Sequence, residues 1–180
     1  SRDVQRPPPA EVRELTGSGR SYWGGDRLKQ FVSQYGILPP GPNTPYMFYV
    51  RERLGCKPGE ARLVGVQLMK AEPRALEHPL HMDDQPDAVA GVYMRSTFLN
   101  KVVNVFIPLM DHDKPLGNLV LYTRGLTPHV IHPAGKGRWY GMDACYPHSV
   151  SANMSEEVRF LLALVFVGPG VSDETVRRIT

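Results

Sequence analysis

The sequence predicts a mostly β fold, a sandwich or barrel of short strands preceded by an N-terminal segment with helices. Three observations carry that expectation. Glycine and proline number 17 each among 180 residues, more breakers than a helical bundle tolerates and enough to punctuate many turns. From Ala61 onward, short runs rich in β-branched and aromatic residues recur between turn signals. The most apolar run, residues 158–167, has the length of a buried strand, and no stretch approaches a membrane span.

Taken in order, residues 1–9 end in Pro7-Pro8-Pro9 and read as a linker. Residues 10–15 allow one or two helical turns before the breakers Gly17 and Gly19. Asp26 is placed to cap a helix whose Leu28, Phe31 and Val32 share a face, with Gly36 as its stop. After a loop rich in proline and glycine, residues 45–54 fit a strand or a short helix; the alternation of Tyr46, Phe48 and Val50 favours a strand. Strands are then expected from Leu63 through Leu68, at 92–98, at 102–109, at 118–122, at 129–132, at 138–142 after the turn glycines Gly135 and Gly137, and at 158–167. This divides the chain into an N-terminal helical and linker region at 1–60 packing on the core, a β core at 61–170, and a C-terminal tail at 171–180.

Composition bounds the function. A chain with 42% hydrophobic and 22% charged residues is globular. A net charge of +3 without a lysine- or arginine-rich run permits an acidic partner but does not demand one. Two cysteines, Cys56 and Cys145, make neither a disulfide framework nor a zinc motif, and no signal peptide stands at the start, so an intracellular protein, cytoplasmic or nuclear, is expected. The chain starts at Ser1 without methionine, as an excised domain or a processed chain would.

Chemistry concentrates at His81-Met82-Asp83. On a strand alternate side chains share a face, so His81 and Asp83 point one way and Met82 the other. His148 follows sixty-seven residues after His81, and Arg159 eleven residues beyond His148. Two imidazoles and a carboxylate form a facial triad, which suits non-haem Fe(II) and leaves three octahedral positions open. The bland alternative is a surface loop, consistent with Asp83-Asp84 and the nearby Pro79 and Pro86. Arg159 shares strand parity with Leu161, Ala163 and Val165, so its guanidinium should lie among apolar residues. Buried charge needs a partner, and a carboxylate matches the guanidinium fork best. No other Arg or Lys lies between His148 and Gly168.

These residues resemble the iron(II)- and 2-oxoglutarate-dependent dioxygenases over roughly residues 63–168. The resemblance implies a double-stranded β-helix, or jelly-roll, core. It implies His81, Asp83 and His148 as metal ligands and Arg159 as the clamp on the far carboxylate of 2-oxoglutarate. Tyr93, Asn104 and Tyr122 become further candidates for co-substrate contact, and Asp84 a hydrogen-bonding support. The cofactors implied are Fe(II) and 2-oxoglutarate, with ascorbate as a reductant; O2 is consumed, and succinate and CO2 are released. No catalytic side chain beyond the metal ligands is expected.

The substrate expected is macromolecular, a protein side chain to be hydroxylated or a nucleobase to be demethylated, and a small molecule is the third option; no membrane is involved. A nucleic acid would be held through phosphates by Arg95, Lys101, Arg124, Lys136 and Arg138. Of the other histidines, His78 reads as an exposed loop residue, His112 as part of a polar turn, and His129 and His132 as facing opposite sides of a strand. Trp139 and Tyr140 fit either a substrate wall or ordinary packing. The rival from another class is a non-catalytic, cupin-like jelly roll that binds a metal or ligand, in which Arg159 is exposed or paired with an acidic side chain.

Overall fold

The computed structural model describes residues 44–82, 101–111, 117–122, 127–131 and 138–179, together with the backbone of two strands at 12–15 and 20–23. The elements are β1 (Val12–Leu15), β2 (Arg20–Trp23), helix α1 (Pro45–Leu54), β3 (Arg62–Ala71), β4 (His78–His81), β5 (Val102–Pro108), β6 (Leu119–Tyr122), β7 (Pro128–Ile131), β8 (Tyr140–Asp143), β9 (His148–Val150), β10 (Arg159–Val167) and helix α2 (Asp173–Ile179). They form two antiparallel sheets, a larger one ordered β1-β2-β3-β10-β5-β8 and a smaller one ordered β4-β9-β6-β7. The mostly β, jelly-roll architecture expected from the sequence is the one observed.

Strand β10 is buried on both faces, as its continuous apolar run requires. Leu162, Leu164 and Phe166 join Leu68, Val103 and Val105 in packing against Tyr46, Val50 and Leu54 of α1. On the opposite face Leu161 and Ala163 meet Phe106 and Met142 from the larger sheet and Leu119 from the smaller one, with Leu121 and Val150 beside them. This second cluster is the interior between the sheets. Val171 and the C-terminal helix cover the end of the core where β10 finishes, packing on Val102, Val165 and Val167.

Residues 45–54 are helical, not the strand that alternation favoured. Pro45 suits the first turn, where its missing N–H costs nothing. Gly55, at φ 61°, closes the last turn, its N–H and that of Cys56 reaching the carbonyls of Glu52 and Arg51. Buried Tyr46, Val50 and Leu54 stand four apart, a spacing that a helix stripe and every second strand position share, while Phe48 is 60% exposed. Residues 12–15 are a strand rather than helical turns, because β2 pairs with them and with β3. The C-terminal tail carries a helix. The helix expected from Asp26, the strand expected at 92–98 and the turn at Gly135 and Gly137 lie outside the described residues.

An ion pair fixes α1 to the sheet: Arg53 meets the fully buried carboxylate of Asp143 on β8, its Nε donating at 3.4 Å to Oδ1. Gly141 on β8 lies directly under the Tyr49 ring, where any Cβ would collide with it. Cys56 and Cys145 are both free thiols, and no helix among the described residues is long and apolar enough to cross a membrane.

Candidate functional site

His81 ends β4 and His148 begins β9, and the two are direct partners across the antiparallel pair. Their rings lie 4.2 Å apart, centroid to centroid. His148 is 4% exposed, while His81 is half-buried. Each ring is aimed by its own strand: Nδ1 of His81 lies 2.9 Å from the carbonyl of Pro79, and Nδ1 of His148 lies 3.0 Å from that of Tyr146. A carbonyl can only accept, so each Nδ1 carries a proton, and in a neutral ring Nε2 is then the nitrogen able to ligate a metal. An Nδ1–H held by a backbone carbonyl is the support that metal-ligating histidines commonly have.

His148 pairs also with Leu121, which packs in the interior cluster with Leu119 and Val150. The imidazole therefore sits on the inner face of the smaller sheet. Met82 is buried next to His81, and Asp83, the expected carboxylate ligand, lies outside the described residues. Among the described residues no set of three or more His, Cys, Asp or Glu side chains is placed to hold a metal.

The sequence missed His78. It begins β4 instead of lying in a loop, and its ring is 4.2 Å from that of His81. His78 pairs with Val150 and His81 with His148, so β4 carries one residue more than β9 over that stretch. Such a bulge returns two residues of odd spacing to one face. Period-two reading could not find this.

Arg159 is 4% exposed at the start of β10, on the interior face with Leu161 and Ala163. Its Nη1 donates to the carbonyl of Gly117 at 3.0 Å. Burial pushes the phenol of Tyr140 well above its ordinary range, and the Arg159 charge opposes that rise. Tyr140 stacks on Phe106, its partner on β5, with centroids 5.2 Å apart. Tyr140 thus stands on the inner face within electrostatic reach of Arg159, whereas Trp139 packs against Tyr46 and Tyr49 on the helix side.

The other co-substrate candidates divide. Asn104 is buried on the same face as Phe106, but it pairs with Val165, six residues or roughly 20 Å along β10 from Arg159. Tyr122 is not brought to the inner face. It alternates with Leu121, and its hydroxyl lies 3.3 Å from that of Ser149, which is the outward neighbour of His148. Tyr93 lies outside the described residues, as do Asp84, Arg95, Arg124, Lys136, His112 and His132; Lys101, Arg138 and His129 are exposed.

No protein-family model and no curated protein matches the chain. Its fold does have solved counterparts. The non-haem α-ketoglutarate-dependent epimerase SnoN from nogalamycin biosynthesis superposes with a TM-score of 0.64 at 14% identity over 88% of this chain and 65% of that one. SnoN in complex with Fe3+, α-ketoglutarate and nogalamycin RO gives 0.53 at 12% identity over 83% and 64%. EvdO2 from Micromonospora carbonacea var. aurantiaca, complexed with 2-oxoglutarate, gives 0.53 at 12% over 84% and 86%. The chain therefore has the fold of the 2-oxoglutarate-dependent non-haem oxygenases, and it spans about two thirds of the length of SnoN.

Proposed function

We propose that this chain is a 2-oxoglutarate-dependent non-haem iron oxygenase in which His81, Asp83 and His148 hold Fe(II) and Arg159 holds the far carboxylate of 2-oxoglutarate. The observation that supports this most is the pair of abutting imidazoles, each donating its Nδ1–H to a backbone carbonyl, the tautomer in which Nε2 is the ligating nitrogen. Two neutral nitrogens with one carboxylate fit a borderline divalent cation such as Fe(II), so the donor set suits the metal. When bound, the metal and its co-substrate supply the oxidation, consuming O2 and releasing succinate and CO2.

The chain's own residues orient and shield. The carbonyls of Pro79 and Tyr146 fix the ring planes. Leu119, Leu161 and Met142 wall the interior against water, which strengthens every charge interaction there. Arg159, buried in that wall, would present its planar fork to a carboxylate, and Tyr140, stacked on Phe106 on the same inner face, would add a hydrogen bond from its hydroxyl. The burial of Arg159 removes the exposed arginine of a binding-only jelly roll; a binding-only jelly roll in which Arg159 pairs with an acidic side chain is separated from the proposal by the succinate assay below.

For the substrate, the SnoN complex favours a small molecule over the macromolecule that length and charge first recommended, since the third component bound there is nogalamycin RO. Succinate release from 2-oxoglutarate with added Fe(II) and ascorbate tests the reading. Wild-type protein should produce succinate and His81→Ala should not. Tight 2-oxoglutarate binding without turnover would instead identify a cupin-like binding module.

A further inference from the structure

We infer that Gly117 positions Arg159 for the co-substrate, acting as a carbonyl rest that only glycine can supply at that point; this rests on the proposed role of Arg159. Gly117 lies just before β6 with φ at 94°, a backbone conformation that side chains with a Cβ rarely adopt. Its carbonyl accepts the Nη1–H of Arg159 at 3.0 Å. A Cβ there would stand 2.5 Å from the Ser151 carbonyl oxygen, 3.2 Å from that of Ala152 and 3.3 Å from Arg159 Nη1 itself. Two of those three neighbours are backbone, which cannot swing aside as a side chain can.

The same spot is tied to the strand that carries His148. The Asn118 N–H donates to Ser151 Oγ at 2.7 Å, and the Ser151 N–H donates to the Asn118 carbonyl at 2.9 Å. Ser151 follows His148 by three residues, roughly 10 Å of strand. Gly117 thereby sets the guanidinium at a defined distance from the imidazole pair. A ligand chelated at one end and clamped at the other depends on that distance, since a misplacement near 1 Å is enough to lose a large part of the advantage of orientation. Gly55, Gly59 and Gly170 also have positive φ, yet nothing lies within 4 Å of a Cβ built on them. Gly117 is set apart from them by contact, not by φ.

The test measures 2-oxoglutarate binding to Mn(II)-loaded protein by calorimetry, together with Mn(II) affinity and thermal midpoint, for wild type, Gly117→Ala, Gly170→Ala and Arg159→Ala. Gly117→Ala should weaken 2-oxoglutarate about tenfold or more while Mn(II) affinity stays within about twofold. Gly170→Ala, with comparable backbone strain, should lower the midpoint but keep wild-type 2-oxoglutarate affinity. If Gly117→Ala does not fold, Ser151→Ala decides: it removes the Oγ acceptor without backbone strain and should weaken 2-oxoglutarate several-fold with Mn(II) unchanged. Wild-type 2-oxoglutarate affinity in Gly117→Ala, or in Ser151→Ala where that variant decides, alongside loss in Arg159→Ala, overturns the positioning role alone. Unchanged affinity in Arg159→Ala, or no binding by wild type, overturns the proposed function and this role with it.

Discussion

A guanidinium at 4% exposure is costly to bury, and its location determines what it can hold. If Arg159 clamps a carboxylate, Arg159→Ala should cost roughly 2–5 kcal/mol of 2-oxoglutarate binding while metal affinity stays near wild type. Superimposable 2-oxoglutarate titrations of the two proteins would exclude the clamp. Tyr140→Phe should have a smaller effect in the same assay, about tenfold, because one hydrogen bond to a charged group is lost; an unchanged Kd would leave Tyr140 as packing only. The burial of Arg159 was legible in the sequence, because its strand parity places it with Leu161 and Ala163. The facing of Tyr122 and Tyr140 was not legible, because a short strand's phase depends on its partners. The pairing of Leu121 with His148 turns Tyr122 outward, and the pairing of Tyr140 with Phe106 turns Tyr140 inward.

Among the elements, α1 is joined to β8 by a lopsided ion pair: Asp143 is fully buried, and the Arg53 side chain keeps 35% of its exposure. Removing the two partners should therefore be unequal. Arg53→Met strands a buried carboxylate and should cost about 3 kcal/mol, whereas Asp143→Asn frees an arginine that can turn to water and should cost less. Urea midpoints for the two variants check this, and the reverse order would contradict it. Residues 45–54 read as a strand because Tyr46 and Val50 satisfy both periods over so short a span, and the exposure of Phe48 separates the two. The Pro45 and Gly55 pair was the better signal. His78 was missed for another reason: a bulge cannot be seen in one strand's sequence, since it is defined by the count of residues on its partner.

For the molecule as a whole, the fold class was legible because turn-punctuated apolar runs leave few architectures open. The site was legible only in outline, since His81 and His148 lie far apart in sequence and meet through β4–β9 pairing. Global stability should also carry an alkaline limit. Burial, then the Asp143 carboxylate, pushes Tyr49 up to about 12, and burial raises Tyr46 and Tyr140 from their ordinary 10.0. The folded state holds these protons while the unfolded chain releases them near pH 10, so the stabilisation is complete below that pH and is lost as pH climbs toward about 12. Denaturant midpoints should fall between about pH 9 and pH 11, and Tyr49→Phe should lessen the fall; a flat profile would contradict this. The central claim is that His81, Asp83 and His148 together bind one metal ion, and a Co(II) titration followed by visible absorption tests it most directly. Wild type should saturate at one equivalent, and Asp83→Ala and His148→Ala should each lose more than the roughly 10–100-fold that removing a mere support of a ligand causes. Wild-type Co(II) affinity in either variant would contradict the account.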